Sequence, residues 1–211
     1  MTEKPIKHFN LATVWGRVDG VPTSKKSNEG KGKPFWRLKV ICASKRGNVF
    51  AYGRLWNKEK ASALVEYVKK SPGAGIKLVG FFNQYDHDIK DGEGKVTTTV
   101  RRSNFTWYEW NQDKCEDPRA AFALVGIVKD IQDDRLMLHL DRQGSEPEDF
   151  TVYARDLAEL EARKLIAGDV VQVKGYLQTK TGEDEFGCTE ESLILPCFDV
   201  ADLKVRGDDF A

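Results

Sequence analysis

The chain has 211 residues, of which 40% are hydrophobic and 31% charged, and its formal net charge is zero. This composition is typical of a soluble globular protein, and no apolar run approaches the roughly 18–20 residues that a membrane-spanning helix needs. Because the N-terminus lacks the apolar stretch of a signal peptide, we expect a cytoplasmic protein.

The zero net charge conceals two halves of opposite sign. Residues 1–115 contain 22 Lys and Arg against 11 Asp and Glu, whereas residues 116–211 contain 11 basic and 22 acidic residues. A basic domain attracts polyanions, and an acidic domain repels them. We therefore expect the two halves to have different roles.

The cysteines and histidines do not follow a metal-binding or catalytic pattern. The four cysteines share no CxxC or other metal-ligand spacing, and in a cytosolic chain we expect them to be reduced. The sequence also lacks a Gly-rich phosphate loop and a recognisable nucleophile–base motif. We therefore expect no metal, no cofactor and no catalytic site.

In the basic half, alternation of apolar and polar residues predicts five strands. Between the third and fourth, apolar residues recur at i, i+3, i+4 and i+7, which predicts an amphipathic helix capped by Asn57. The segment 21–34 is rich in Gly, Pro, Ser and Lys and is predicted to be a long mobile loop, and 86–95 is predicted to be the tip of a long hairpin. The predicted strands cover residues 9–18, 35–43, 49–55, 76–82 and 96–108.

The acidic half repeats this order with shorter loops. Asp156 and Glu159 are predicted to form a capping box at the start of a helix that Gly168 is predicted to end. Five strands with a helix between the third and fourth is the order of the OB-fold, a partly open Greek-key barrel. We therefore predict an all-β chain of two tandem five-stranded OB-fold barrels with one short helix each, another five-stranded arrangement being the alternative. The strands of the second barrel are predicted at 121–131, 135–140, 150–154, 170–177 and 186–195.

These elements divide the chain into a basic OB domain at residues 1–112, a linker at 113–119, an acidic OB domain at 120–204 and a short acidic tip at 205–211. Since the acidic domain should repel DNA, we expect it to pair with a second copy of the chain, which gives a homodimer with four barrels. Three alternatives stay open. The domain could dock a partner protein, lie against the basic domain as a DNA mimic, or present a solvated surface with no specific role.

OB barrels bind oligonucleotides on the face of their second and third strands and on the loops beside it. In the basic domain this face alternates aromatic with basic residues, a combination that stacks on unpaired bases and neutralises phosphates. For the tryptophans, burial in the core is the alternative interpretation. The residues predicted here to bind nucleic acid are Phe35, Arg37, Lys39, Phe50, Tyr52, Arg54, Trp56, Trp107, Arg101, Arg102, Lys25, Lys26, Lys31, Lys33 and Arg46.

The run Tyr-Gly-Arg-Leu at 52–55, the run Gly-Ile-Lys-Leu-Val-Gly at 75–80 and the continuation through 91–100 resemble bacterial and phage single-stranded DNA-binding proteins. The resemblance covers about residues 9–108. In that family an aromatic residue before the Gly-Lys/Arg-Leu step stacks on DNA, which implies this role for Tyr52. A family tryptophan after strand four falls near Tyr85, which the resemblance implies as its substitute. The strand-three tryptophan falls near Arg46, so that stacking residue is missing here.

Members of the family also carry an acidic tip that ends in Phe and recruits replication and repair enzymes. The chain ends with Asp208, Asp209 and Phe210 followed by Ala211, which resembles that tip without the Gly/Pro/Gln-rich linker that precedes it in the family. The resemblance therefore implies a partner-binding tip, and an ordinary terminus is the alternative.

Together these observations predict a non-enzymatic, sequence-nonspecific single-stranded DNA-binding protein. It would protect single strands in replication, recombination and repair by base stacking and phosphate neutralisation. Stacking and backbone charge serve RNA equally well, so RNA stays open as a ligand. The alternative function is a non-catalytic OB-fold adaptor that acts mainly through protein–protein contacts.

Overall fold

The protein is described by a computed structural model. Its residues fall into two compact units, the first formed by Leu11–Ala121 with Leu177–Ile194, and the second by Phe122–Tyr176 with residues from both ends of the chain. We call these the first unit and the second unit. The structure describes residues 7–26, 32–45, 47–132, 135–141, 147–154, 164–183 and 189–203.

In its described residues, the first barrel has six strands and one helix. Part of the segment predicted to be a mobile loop forms the short strand β2 instead. This strand pairs with β3, with Lys25 opposite Phe35. Two strands also run further than the alternation pattern predicts, so that the hairpin between them turns only at 91–95. The elements are β1 (Phe9–Val18), β2 (Thr23–Lys26), β3 (Pro34–Ser44), β4 (Gly47–Leu55), α1 (Lys58–Lys70), β5 (Gly75–Lys90) and β6 (Val96–Gln112).

The strand pairings of this barrel form a circuit. Strand β1 is antiparallel to β3 and to β5, and β3 is antiparallel to β4. Strand β4 then runs parallel to β6, with Gly53 opposite Phe105, and β6 returns antiparallel to β5. This is the strand order of an OB barrel, and it confirms the predicted fold class.

The helix α1 closes one side of the core. The Asn57 side chain accepts a hydrogen bond of 2.9 Å from the Lys60 backbone N–H, which confirms the predicted cap. The buried face of α1 is Ala61, Leu64 and Val68, three of the four residues of the predicted stripe, and the fourth, Val65, is half-buried. Within the described ranges, no helix is long and apolar enough to cross a membrane.

The second barrel repeats the circuit. Strand β7 pairs with β8, β8 with β9, β9 in parallel with β13, β13 with β10, and β10 again with β7. The predicted helix lies mostly at 155–163, outside the described residues. The strands are β7 (Arg119–Gln132), β8 (Arg135–Leu140), β9 (Glu148–Ala154), β10 (Val170–Tyr176), β11 (Gln178–Glu183), β12 (Thr189–Ile194) and β13 (Pro196–Asp202).

Two glycines show that the repeat extends to packing. Gly80 lies on β5 and Gly175 lies on β10. A Cβ at Gly80 would lie 2.2 Å from the Thr106 backbone oxygen on β6, and a Cβ at Gly175 would lie 2.2 Å from the Pro196 backbone oxygen on β13. Only glycine permits so close an approach. The same close approach of two neighbouring strands therefore occurs in both barrels.

The predicted fifth strand of the second barrel, 186–195, is wrong. The fifth strand is β13, and β11 and β12 pair with each other as a separate two-stranded hairpin. This hairpin belongs to the first unit, where β11 lies beside β4 and β12 beside β6. The Phe50 backbone N–H donates a hydrogen bond of 3.1 Å to the Thr179 hydroxyl. Alternation along the chain does not reveal which strand such a hairpin joins.

Candidate nucleic-acid interface

The outer side of β3 and β4 carries the predicted combination of aromatic and basic side chains. The register places Arg37 opposite Arg54, Lys39 opposite Tyr52 and Ile41 opposite Phe50. The alternate residues, such as Leu38 and Val40, are buried in the core. Because side chains of a strand alternate between its faces, the charged and aromatic residues share the outer side, which we call the β3–β4 face.

At the centre of this face lies Lys39. Its Nζ is 5.6 Å from the ring centroid of Phe50 and 5.4 Å from that of Tyr52, within the range of cation–π attraction. It also forms a salt bridge of 2.8 Å with Asp19 Oδ2. The hydrogen bond to Asp19 raises the pKa of Lys39 above its usual value, with a smaller contribution from Tyr52. Lys39 is therefore a fully charged group held between two aromatic rings.

Arg37 and Arg54 lie directly opposite each other, and both are exposed. Like charges opposite each other in a sheet are destabilising. No carboxylate in the described part of the chain forms a salt bridge with either guanidinium. The pair is unfavourable in the isolated protein, and it is positioned to accept an anion from solvent.

Phe35 was predicted to stack on bases, but it is only 5% exposed. Trp56 lies against it, with ring centroids 5.1 Å apart, and the Arg54 guanidinium lies 5.1 Å above its ring. The exposed aromatic group at this end of the face is therefore Trp56, at 37%. Phe35 supports Trp56 and Arg54 from below, and its assignment as a stacking residue is corrected.

Trp107 was also predicted to bind nucleic acid, and the structure places it in the core. It is 1% exposed and stacks on Phe105 with a centroid distance of 4.7 Å and an interplanar angle of 7°. Its buried Nε1 has no hydrogen-bond partner within the described residues. Residue 107 points inward because β6 alternates from buried Phe105, and its indole is not available to a ligand.

Tyr85 lies on the long hairpin formed by β5 and β6, which we call the β5–β6 arm. Its side chain is 39% exposed, and its register partner is Arg102. In the backbone register, Arg101 is opposite Asp86, one residue further along. The structure does not describe the side chains of Arg101 and Arg102. As far as it is described, the arm supplies one further exposed ring.

The remaining predicted contacts are loop residues and the tip. Lys25 and Lys26 lie exposed on β2, and Lys33 is exposed just before β3. Lys31, Arg46, Asp208, Asp209 and Phe210 lie outside the described residues.

Sequence reasoning missed one exposed ring on β6, the strand beside β4, and one residue of the β3–β4 face. Tyr108 is 48% exposed, and the alternation of buried Phe105 and Trp107 would have placed it on the outer side. Its pKa is raised by desolvation and by Glu109. The other residue is Asp19, whose contact with Lys39 joins the end of β1 to the middle of β3 and has no local sequence signal.

The equivalent face of the second unit has a different chemistry. Tyr153 and Arg135 are opposite each other, with the guanidinium 5.5 Å from the ring centroid, much as Tyr52 and Lys39 are paired in the first unit. Four residues further along the same two strands, Asp149 lies opposite His139 and accepts hydrogen bonds from Lys129 and His139. The Lys129 hydrogen bond is the largest cause that lowers the pKa of Asp149. The aromatic–cation pair is thus retained on strands that also carry a carboxylate.

Cys42 and Cys115 are free, buried thiols, and Cys197 is also buried. The Cys115 thiol donates to the Gly16 carbonyl oxygen at 2.8 Å, which anchors the predicted linker to the first barrel. Burial raises the pKa of the Cys42 thiol to about 11. Within the described ranges, no group of three or more His, Cys, Asp or Glu side chains is arranged to hold a metal ion.

No family model and no curated protein matches the sequence. Among solved structures, the wild-type single-stranded DNA binding protein from Thermus aquaticus is similar along 93% of this chain and 94% of its own, with 17% identity and a TM-score of 0.64. A deletion mutant of that protein matches with 17% identity and a TM-score of 0.63, over 93% of this chain and 95% of its own. This chain therefore shares its fold with the Thermus protein over nearly the full length of both.

Proposed function

We propose that the chain binds single-stranded DNA through the β3–β4 face of its first unit. Bases stack on Tyr52, Trp56 and Tyr85, with Phe50 beside them, while Arg37, Lys39 and Arg54 neutralise phosphates. The fold shared with the Thermus aquaticus single-stranded DNA binding protein supports this proposal. So does the composition of the face, since aromatic rings and cations hold a ligand by stacking and charge, as in a binding protein rather than an enzyme.

The observation that carries the proposal is the opposed pair Arg37 and Arg54. Two exposed guanidinium groups on neighbouring strands repel each other. A phosphate between them relieves that repulsion and accepts charge-assisted hydrogen bonds from both. A surface built only for stability would gain from a carboxylate at one of these two positions.

The aromatic residues favour single strands over duplex. Tyr52 is 46% exposed and Trp56 is 37% exposed, so part of each ring is available for stacking. Base–aromatic stacking contributes about 1–3 kcal/mol per base and tolerates any sequence. In a duplex the faces of the bases are already stacked on each other, so only the phosphates would contact this face.

For the second unit we propose pairing with a second copy of the chain, which places two DNA-binding faces in one homodimer. Its excess of acidic residues favours a protein contact over a contact with DNA. Light scattering after gel filtration tests this directly, because a dimer has twice the chain mass of 23.9 kDa. A monomer at every concentration would overturn this part of the proposal without affecting the DNA-binding face.

We further propose that the DNA-binding activity protects single strands during replication, recombination and repair, and that the C-terminal tip with Asp208, Asp209 and Phe210 recruits partner enzymes. These roles rest on the sequence resemblance of residues 9–108 and of the tip. Removal of residues 205–211 should leave DNA affinity unchanged and abolish capture of such enzymes.

The DNA-binding proposal is tested with two matched double variants. R37Q/R54Q removes both opposed guanidinium groups, while K69Q/K70Q removes the same charge from the exposed end of α1. We expect R37Q/R54Q to weaken binding to oligo-dT strongly and to flatten the salt dependence by about 0.7, because the one phosphate between the two guanidinium groups is no longer neutralised. K69Q/K70Q should have a much smaller effect. Equal effects of the two variants would mean that only the overall charge matters.

A further inference from the structure

Among the described residues, Lys39 differs from the other cations of the β3–β4 face, because a carboxylate of the chain itself forms a salt bridge with it. We propose that Lys39 marks the position of the phosphate that joins the bases stacked on Phe50 and Tyr52, and that Asp19 occupies this position in the free protein. The inference deepens the DNA-binding function proposed above and rests on it. It makes Asp19 a residue that sets the affinity of the face.

The phosphate position follows from the spacing of the rings. Phe50 and Tyr52 are two residues apart on β4, which separates their outward side chains by about 6.6–6.8 Å along the strand. Two neighbouring nucleotides that stack on both rings are joined by one phosphate, which must then lie near the midpoint. The Lys39 ammonium is there, 5.6 Å from the Phe50 ring centroid and 5.4 Å from that of Tyr52.

The carboxylate of Asp19 is held at this position by the backbone. The Asp19 N–H donates a hydrogen bond of 2.9 Å to the Lys39 carbonyl oxygen, which ties the end of β1 to the middle of β3. The next residue, Gly20, has a φ of +76° and turns the chain away. The turn therefore positions Asp19 Oδ2 2.8 Å from Lys39 Nζ.

The contact is accessible and weak enough to be exchanged. The side chains of Lys39 and Asp19 are 33% and 44% exposed, and a surface ion pair contributes only about 0–1 kcal/mol. Carboxylate and phosphate oxygens both accept charge-assisted hydrogen bonds from an ammonium group. A phosphate can therefore replace Asp19 without rearrangement of the barrel, and the cost of breaking the ion pair reduces the affinity for DNA.

The exchange also has a consequence for salt dependence. A phosphate neutralised by Lys39 releases a condensed cation. In the wild-type protein the displaced Asp19 carboxylate stays beside the strand and attracts a cation in its place. Without that carboxylate the release is uncompensated, so binding should depend more steeply on salt, by up to about 0.7 in the logarithmic slope.

The experiment measures the affinity of the full chain for labelled oligo-dT by fluorescence anisotropy in five proteins: wild type, D19N, K39Q, D19N/K39Q and E66Q. Glu66 is exposed on α1, so E66Q matches the charge change of D19N away from the face. We expect D19N to bind up to about fivefold more tightly with a steeper salt slope, and E66Q to bind nearly as the wild type does. In the K39Q background, D19N should have no more effect than E66Q has.

Two results would overturn the inference while the DNA-binding function stands. Weaker binding by D19N would show that Asp19 orients Lys39 for DNA instead of competing with it. Equal tightening by D19N with and without Lys39 would show general repulsion instead of an occupied site. If the wild-type chain does not bind oligo-dT, the proposed function fails, and the inference fails with it.

Discussion

The indole of Trp107 lies directly against Gly53: a Cβ at position 53 would be 2.1 Å from Nε1 and 2.8 Å from Cδ1 of that ring. Gly53 lies between Tyr52 and Arg54, two residues of the β3–β4 face. The glycine between them therefore lets the largest core side chain approach the strand from inside. Three consecutive residues of β4 therefore serve both parts: Gly53 faces the core, and Tyr52 and Arg54 face the candidate site.

A substitution at Gly53 should therefore destabilise the first unit. We expect Gly53→Ala to lower the free energy of unfolding by about 1–3 kcal/mol, the usual penalty for overpacking a core. Gly92→Ala is the matched control, because no heavy atom lies within 4 Å of a Cβ placed there. Urea denaturation measures both, and equal stabilities of the two variants would contradict the packing described.

Trp56 and Trp107 should respond differently to DNA. Trp56 is 37% exposed beside Arg54, whereas Trp107 is 1% exposed. We expect Trp56→Phe to remove most of the tryptophan quenching during titration with oligo-dT, and Trp107→Phe to retain it while reducing stability. Quenching that survives in Trp56→Phe and disappears in Trp107→Phe would reverse the two assignments.

The Cys42 thiol should be unreactive in the folded protein. Desolvation is the largest cause that raises its pKa from 9.0 to about 11, so little thiolate exists near neutral pH. The raised pKa of the folded state contributes stability below pH 9.0, and this is lost as the pH rises toward 11. We expect a thiol reagent at pH 8 to modify Cys42 only after unfolding, as mapped by mass spectrometry.

The same linkage predicts that alkaline conditions destabilise the wild type more than Cys42→Ala, once each is compared with its own stability at pH 8. Urea denaturation between pH 8 and pH 11 measures the difference. Parallel pH profiles for the two proteins would show that the thiol does not titrate with unfolding.

Asp149 should make the stability of the folded protein fall at low pH, whereas Cys42 lowers it at high pH. Its pKa lies below 3.8, chiefly because Lys129 donates a hydrogen bond to it and in smaller part because His139 does, against the opposing effect of desolvation. A lowered pKa in the folded state stabilises the protein above pH 3.8, and that stability is lost as the pH falls through the folded value. Asp149→Asn and Lys129→Gln should each flatten the fall in stability under acid conditions. Unchanged acid profiles in both variants would contradict this assignment.

Local patterns were enough to predict much of the fold. Period-two alternation located β1 at Phe9–Val18, and the i, i+3, i+4, i+7 stripe with Asn57 as its cap located α1. The repeated order of strands and helix indicated the OB fold twice. These features are local, since each depends on residues within one element.

The missed features depend on contacts between distant residues. Thr179 accepts its hydrogen bond from Phe50 across 129 positions of sequence, so alternation could not show that β11 lies beside β4. Trp107 has the composition of a stacking residue, and only the core around Gly53 shows that it is buried. The contact between Asp19 and Lys39 likewise depends on where the β1 turn meets β3.

The most direct test of the central claim compares single strands with duplex on the full chain. Labelled oligo-dT and a labelled duplex of the same length are titrated with the protein at about 50 mM and about 200 mM salt and followed by fluorescence anisotropy. We expect tight binding of oligo-dT that weakens as salt rises, much weaker binding of the duplex, and a loss of about 1–3 kcal/mol for Tyr52→Ala with oligo-dT. Equal affinity for the two nucleic acids, or no binding of either, would contradict the proposal that the first unit is a single-strand binding barrel.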